Sequence, residues 1–211
     1  MKFAKSLITA AALTASFAAG ATVTGTLGGG TGSFLALSGP AACTAGTPCT
    51  LGMGVATVVG GTTYAADQTF ADIPAGGSIF GGNFLAAGPT SGVSSTMSFT
   101  TPLNYISFLW GSPDTYNVLT VNSTVGPAQT FTAMGLNFAV TDGNQSFSQY
   151  VQFAATAGQI TSLVFSNSPS VNAFETANFS IVRAVPEPET YALMLAGLSA
   201  LGFIARRRKR V

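Results

Sequence analysis

The strongest strand pattern in the chain starts at Ser94 and comes as two runs, one on either side of Pro102. Thr96, Ser98 and Thr100 alternate with Met97 and Phe99, and a period of two sends successive side chains to opposite faces of a sheet. Beyond Pro102, Asn104 to Trp110 is dense in β-formers. Ile106, Phe108 and Trp110 share one face; Tyr105, Ser107 and Leu109 share the other. Gly111-Ser112-Pro113-Asp114 then signals a turn, and Tyr116 to Val121 resumes as strand.

The same signature recurs on both sides. Val23 to Leu27 reads as a strand. Leu51 to Val59 and Thr62 to Ala66 flank Gly60-Gly61 and predict a hairpin. One more strand is expected at Ser78 to Phe84. Phe131 to Val140 reads as a strand interrupted by Gly135, and Asp142-Gly143-Asn144 as a hairpin turn. Ser148 to Ala154 should turn Val151 and Phe153 inward. Ile160 to Ser166 follows, and Ala177 to Val182 should bury Phe179 and Ile181. Strand signals return at intervals of roughly 8–12 residues and no helical period competes. The expectation is an all-β body over residues 22–184, an antiparallel β-sandwich of about eight to ten strands, jelly-roll or immunoglobulin-like in type.

Both termini differ from this body. Lys2 and Lys5 precede a short apolar run, Leu7 to Phe17, and Ala19-Gly20-Ala21 offers a small-x-small cleavage pattern. Residues 1–21 therefore predict a secretory signal peptide cut after Ala21, with the Sec translocon and signal peptidase as partners. At the other end, residues 185–211 fall into three blocks. Pro186-Glu187-Pro188 is held extended by its prolines. An apolar segment of good helix formers follows and predicts a transmembrane helix over 190–205. Arg206, Arg207, Arg208, Lys209 and Arg210 then form a stop-transfer cluster expected on the cytoplasmic side. Tyr191 to Ala205 spans only about 22 Å as a helix, short of a roughly 30 Å hydrocarbon core, so Tyr191 and the arginine stems must snorkel to the interfaces.

This tail resembles the PEP-CTERM sorting signal of Gram-negative bacteria. The likeness rests on Pro186-Glu187-Pro188, the pair Tyr191-Ala192, the run Leu193 to Leu198, and the closing Gly202-Phe203-Ile204-Ala205-Arg206-Arg207-Arg208. Many members carry Trp where this chain has Tyr191. The resemblance implies that exosortase, a membrane protease-transpeptidase, recognises the Pro-Glu-Pro region and releases or transfers the body. It also implies a transient inner-membrane anchor, a final place at the cell surface or outside it, and exopolysaccharide as company. It covers an address and is silent on the body.

Charge narrows the body's partners. The whole chain is formally +1, but seven of its eight cations lie in the two terminal segments. The body carries Arg183 against Asp67, Asp72, Asp114, Asp142 and Glu175. A mildly acidic body lacks the basic footprint that nucleic acid or anionic lipid requires. Cys43 and Cys49 sit six positions apart among turn residues, and in an oxidising compartment they predict one disulfide. Two thiols with no histidine cannot complete a zinc site, and no cofactor is expected.

Catalytic chemistry is sparse. The chain has no histidine at all, and the body has no lysine. That removes the commonest general base, Ser-His and Cys-His nucleophile pairs, and Schiff-base or Ser-Lys chemistry. The glycine run Gly28-Gly29-Gly30 lacks the Gly-Lys-Ser/Thr ending of a phosphate loop. The best remaining constellation is Trp110, Asp114, Tyr116 and Asn117 around one turn. An exposed aromatic stacks on a sugar face while Asp and Asn bind hydroxyls. The competing reading keeps Trp110 and Tyr116 in the core and gives Asp114 and Asn117 turn hydrogen bonds. A calcium site at Asp142 and Asn144 competes with a plain turn, and the turn is the stronger reading. The functional expectation is an exported, exosortase-processed, non-enzymatic surface or matrix protein associated with exopolysaccharide and biofilm. Its alternatives are a carbohydrate-binding module and a carboxylate-dependent secreted hydrolase.

Overall fold

The computed structural model describes residues 22–37, 39, 41–66, 68–73, 78–183, 193–199 and 201. The expected signal peptide over 1–21, the motif Pro186-Glu187-Pro188 and the basic cluster 206–210 lie outside them, as does Asp67.

The described body is all-β and its strand pairs are antiparallel. In chain order the strands are β1 (Val23–Leu27), β2 (Ser33–Phe34), β3 (Cys49–Leu51), β4 (Ala56–Val59), β5 (Thr62–Tyr64) and β6 (Phe84–Ala87). There follow β7 (Ser94–Gly111), β8 (Asn117–Ser123), β9 (Gln129–Phe131), β10 (Ser148–Ala155), β11 (Ile160–Asn167) and β12 (Phe174–Arg183).

β7 organises all of them. It runs for 18 residues, and its two halves keep different neighbours. Thr96–Phe99 pairs with β4, and Ser94–Ser98 with β11. Tyr105–Gly111 pairs with β10, and Leu103–Gly111 with β12. One branch therefore runs β3-β4-β7-β11-β8-β9, and the other β1-β10-β7-β12-β6-β5. Pro102 falls where the partners change. The β11 register jumps from Ser98 to Leu103 there, so the missing proline N–H costs no ladder bond. This is why the two strands expected on either side of Pro102 form one.

The branches meet through aromatic rings. Phe108 of β7 packs on Phe165 of β11 edge-to-face at 5.5 Å, on Phe153 of β10 at 5.8 Å and on Phe179 of β12 at 5.7 Å. All four are fully buried, and burying each side chain contributes about 1.5–3 kcal/mol. Val151, Phe153, Phe179 and Ile181 point inward as their alternation requires. A second, smaller cluster lies on the opposite face of β7 and β12. There Leu109 and Ala177 pack under Ala71, Ile73 and Phe84.

Four expectations fail. Gly60-Gly61 does not close a hairpin: β4 pairs with β3 and β7, whereas β5 pairs with β6. Both glycines hold positive φ, 70° and 74°, and they carry the chain from one branch to the other. Residues 132–138 are not strand. Leu136 N–H donates to Thr132 O and Phe138 N–H to Ala133 O, which coils this segment, and Asn137 ends it at φ 61°. Asp142-Gly143-Asn144 consequently has no strand before it to pair back upon. The segment expected as strand at Ser78 to Phe84 is mostly turn, and the strand begins only at Phe84.

Cys43 and Cys49 form the expected disulfide, with Cα atoms 5.1 Å apart. In the tail, residues 193–199 and 201 are helical and exposed. Among the described residues no helix is long and apolar enough to cross a membrane.

Candidate functional site

The turn after β7 holds four of the residues singled out above, and the fold assigns them new work. β7 ends at Gly111, and Ser112 N–H donates to Phe147 O at 2.9 Å. Asp114 and Asn117 then close the turn: Asn117 N–H donates to Asp114 O at 3.2 Å, and Asp114 N–H donates to Asn117 Oδ1 at 2.7 Å. An Asn side chain that caps its own turn in this way fixes the entry into β8.

Trp110 is 0% exposed. Its ring stacks on Phe174 at 4.2 Å and meets Phe138 edge-to-face at 5.3 Å. Its indole Nε1–H donates to Asn117 Oδ1 at 3.3 Å. No ring face is left for a sugar, so the reading of Trp110 as a stacking platform is corrected. The cause is that this face of β7 is covered by the aromatic core, to which Phe138 and Phe174 belong.

Asn117 is also fully buried. Its Nδ2 donates to Asn167 Oδ1 at 2.9 Å and to Ala173 O at 3.1 Å. With both side-chain atoms engaged, Asn117 ties the ends of β7, β8, β11 and β12 together. Tyr116 has its hydroxyl donating to Asn172 O at 2.5 Å. Burial first, and hydrogen bonding to Asp114 second, push the Tyr116 phenol well above its ordinary range.

Carboxylates gather beside this turn. Asp114 bridges to Asp142 through backbone pairing. Burial raises the Asp114 carboxyl above its ordinary value, with Asp142 adding to the rise and the Tyr116 hydroxyl opposing it. Gly143 sits at φ 73°, where a Cβ would lie 2.6 Å from Asp114 Oδ1. Asp142 Oδ1 accepts from Asn144 N–H at 3.3 Å, and Asn144 Oδ1 from Ser146 N–H at 2.9 Å. These are turn hydrogen bonds. Among the described residues no group of three or more His, Cys, Asp or Glu side chains could hold a metal.

Sequence reasoning passed over Glu175. It lies on β12 at 1% exposure, opposite Gly111 in the ladder. Burial pushes its carboxyl well above the usual range, and Asp114 and Asp72 add to the rise against a hydrogen bond from Ser112. Among the described residues its Oε2 has no hydrogen-bond partner. The signal was present in the sequence as a lone carboxylate inside the β-former run Phe174 to Val182. A buried carboxyl whose pKa is raised resembles a general acid in that respect alone; at 1% exposure it does not face a polymer in solution.

The remaining sequence-predicted site is the tail. Residues 184–209 match the family model of the PEP-CTERM protein-sorting motif. No curated protein and no solved structure matches the chain.

Proposed function

From a sorting motif that marks this chain for export, a membrane-anchored precursor and processing by exosortase, we propose that the body is a non-enzymatic component of the cell surface or extracellular matrix, associated with exopolysaccharide. The observation that carries this reading is the match at residues 184–209 on a body that lacks both histidine and lysine side chains for catalysis. Burial of Glu175 and Trp110 weighs against the hydrolase and the sugar-stacking module in the same stroke. The body itself we read as a β-sandwich, its two branches joined along β7 and packed through Phe108 and Phe165. A surface low in charge and rich in Ser, Thr and Asn suits contact with neutral polysaccharide through hydroxyls and amides.

The test is cosedimentation of the mature protein with exopolysaccharide from the producing cells, with polymer length measured before and after. Retention with unchanged polymer length is expected. Shortened polymer makes the protein a hydrolase, and failure to sediment removes exopolysaccharide as its partner.

A further inference from the structure

An apolar concavity of the body lies where β12 ends, a few residues before the sorting tail begins. Phe34, Leu35, Met53, Val55, Ile181 and Val182 contribute to a groove of about 620 Å³, and none of its lining residues is charged. Its rim is open to solvent. Met53 is 105% exposed, Val182 44% and Phe34 39%. A soluble body gains nothing by holding a methionine fully in water beside two half-exposed apolar side chains, and such a patch marks a contact. β2, only two residues long, exists to hold this wall in place: Ser33 and Phe34 pair with Ile181 and Ser180.

Chain length says what the patch can reach. From Val182 to Tyr191, the first residue of the apolar tail segment, is nine positions. At full extension that is about 30 Å. While the tail is anchored, the groove therefore cannot leave the membrane surface by more than that distance. A tether this short gives an effective concentration in roughly the mM range, at which even weak apolar contact is occupied. The lining offers no cation for anionic headgroups and no carboxylate to repel them, which fits an uncharged lipid surface.

We propose that this groove is the face on which the body rests against the outer leaflet of the membrane while the precursor is still anchored, and that release by exosortase lifts it off. The proposal rests on the anchored-precursor reading. It gives the exposed ring of Phe34 and the side chains of Met53 and Val182 a lipid partner before processing and leaves them free for matrix contacts after it.

The full chain, inserted through its tail into phosphatidylcholine vesicles at low chain density, tests this by hydroxyl-radical footprinting. Met134 is the internal reference, because it is 66% exposed and lies on the 132–138 turn, away from the groove. Exposure alone would make Met53 the faster to oxidise. The proposal reverses the order, with Met53 slowed about five-fold or more as the tethered body stays down. If the chain is stripped from the vesicles by alkaline carbonate, the anchor reading has failed and the proposal falls with it. If the chain stays and Met53 still oxidises faster than Met134, the anchor stands and the proposal is overturned; a groove reserved for exosortase, absent from the vesicles, gives this result. Protection that appears only at high chain density assigns the face to a second copy and also overturns it.

Discussion

Replacing Asn117 by Ala is expected to be among the most damaging single polar substitutions in the body. The side chain makes four hydrogen bonds, from Trp110 Nε1 and Asp114 N to Oδ1, and from Nδ2 to Asn167 Oδ1 and Ala173 O. Truncation orphans all four partners. Asp114 N and Asn167 Oδ1 lie in partly buried contacts and can be repaired by water. Trp110 Nε1 and Ala173 O are in fully buried ones, and each orphan costs about 1–3 kcal/mol. The expected loss is about 3–4 kcal/mol, a large part of the roughly 5–15 kcal/mol that holds a domain together. Trp110→Phe provides the comparison. It keeps the stack on Phe174 and removes one long hydrogen bond, so about 1 kcal/mol is expected. Urea unfolding followed by far-UV circular dichroism measures both changes. Trp110 is the chain's single tryptophan, so native fluorescence adds a direct check: blue-shifted emission that acrylamide hardly quenches. A loss below about 1 kcal/mol for Asn117→Ala, or strong quenching of the native tryptophan, refutes the hub and reopens Trp110 as a surface platform.

Three further outcomes follow from the same geometry. Glu175→Gln should flatten the dependence of stability on pH: with its folded pKa raised above 4.5, Glu175 contributes fully below that value and loses its contribution as pH rises through the folded pKa. Wild type should therefore weaken from about pH 4.5 upward more steeply than the variant in urea titrations, Asp114 leaving a smaller slope of the same sign, and equal slopes count against a protonated Glu175. Replacing Cys43 and Cys49 by Ser opens a loop of sequence separation 6 and should cost about 2 kcal/mol, lowering the urea midpoint by about 1 M; an unchanged midpoint contradicts the estimate. Gly143→Ala places a Cβ against the Asp114 carboxylate at a left-handed φ, so the melting temperature should fall by about 3–6 °C, and no fall means that the 142–144 turn is free to move.

What the sequence could show was which way side chains point. Val151, Phe153, Phe179 and Ile181 are buried where period-two alternation places them, and β1 spans Val23–Leu27 as its pattern requires. Alternation does not say which strand lies alongside. The link at Gly60-Gly61 looks like any two-residue hairpin, yet the branched pairing along β7 gives its flanking strands to different partners. Nor does it say how many faces are covered. Leu109 and Ser107 read as the face opposite Phe108 and are buried as well, Leu109 beneath Ala71, Ile73 and Phe84 and Ser107 hydrogen-bonded to Ser180 at 2.7 Å. Trp110 and Asn117 are taken from any ligand on the other face, where Phe138 and Phe174 enclose the indole and Asn117 is hydrogen-bonded beneath it. The tail was legible because its three blocks occur in fixed order, whereas Glu175 and the groove at Met53 depend on long-range packing that no local pattern records.

A tail that is only an address should be removed after export. Intact-mass spectrometry of the protein, recovered from cells with and without exosortase, measures this directly. With exosortase present, the chain should begin at Thr22 and end between Val185 and Tyr191; without it, the same body should run on to Val211 and stay with the membrane. A chain ending at Val211 in both cells, or one that still begins at Met1, contradicts it.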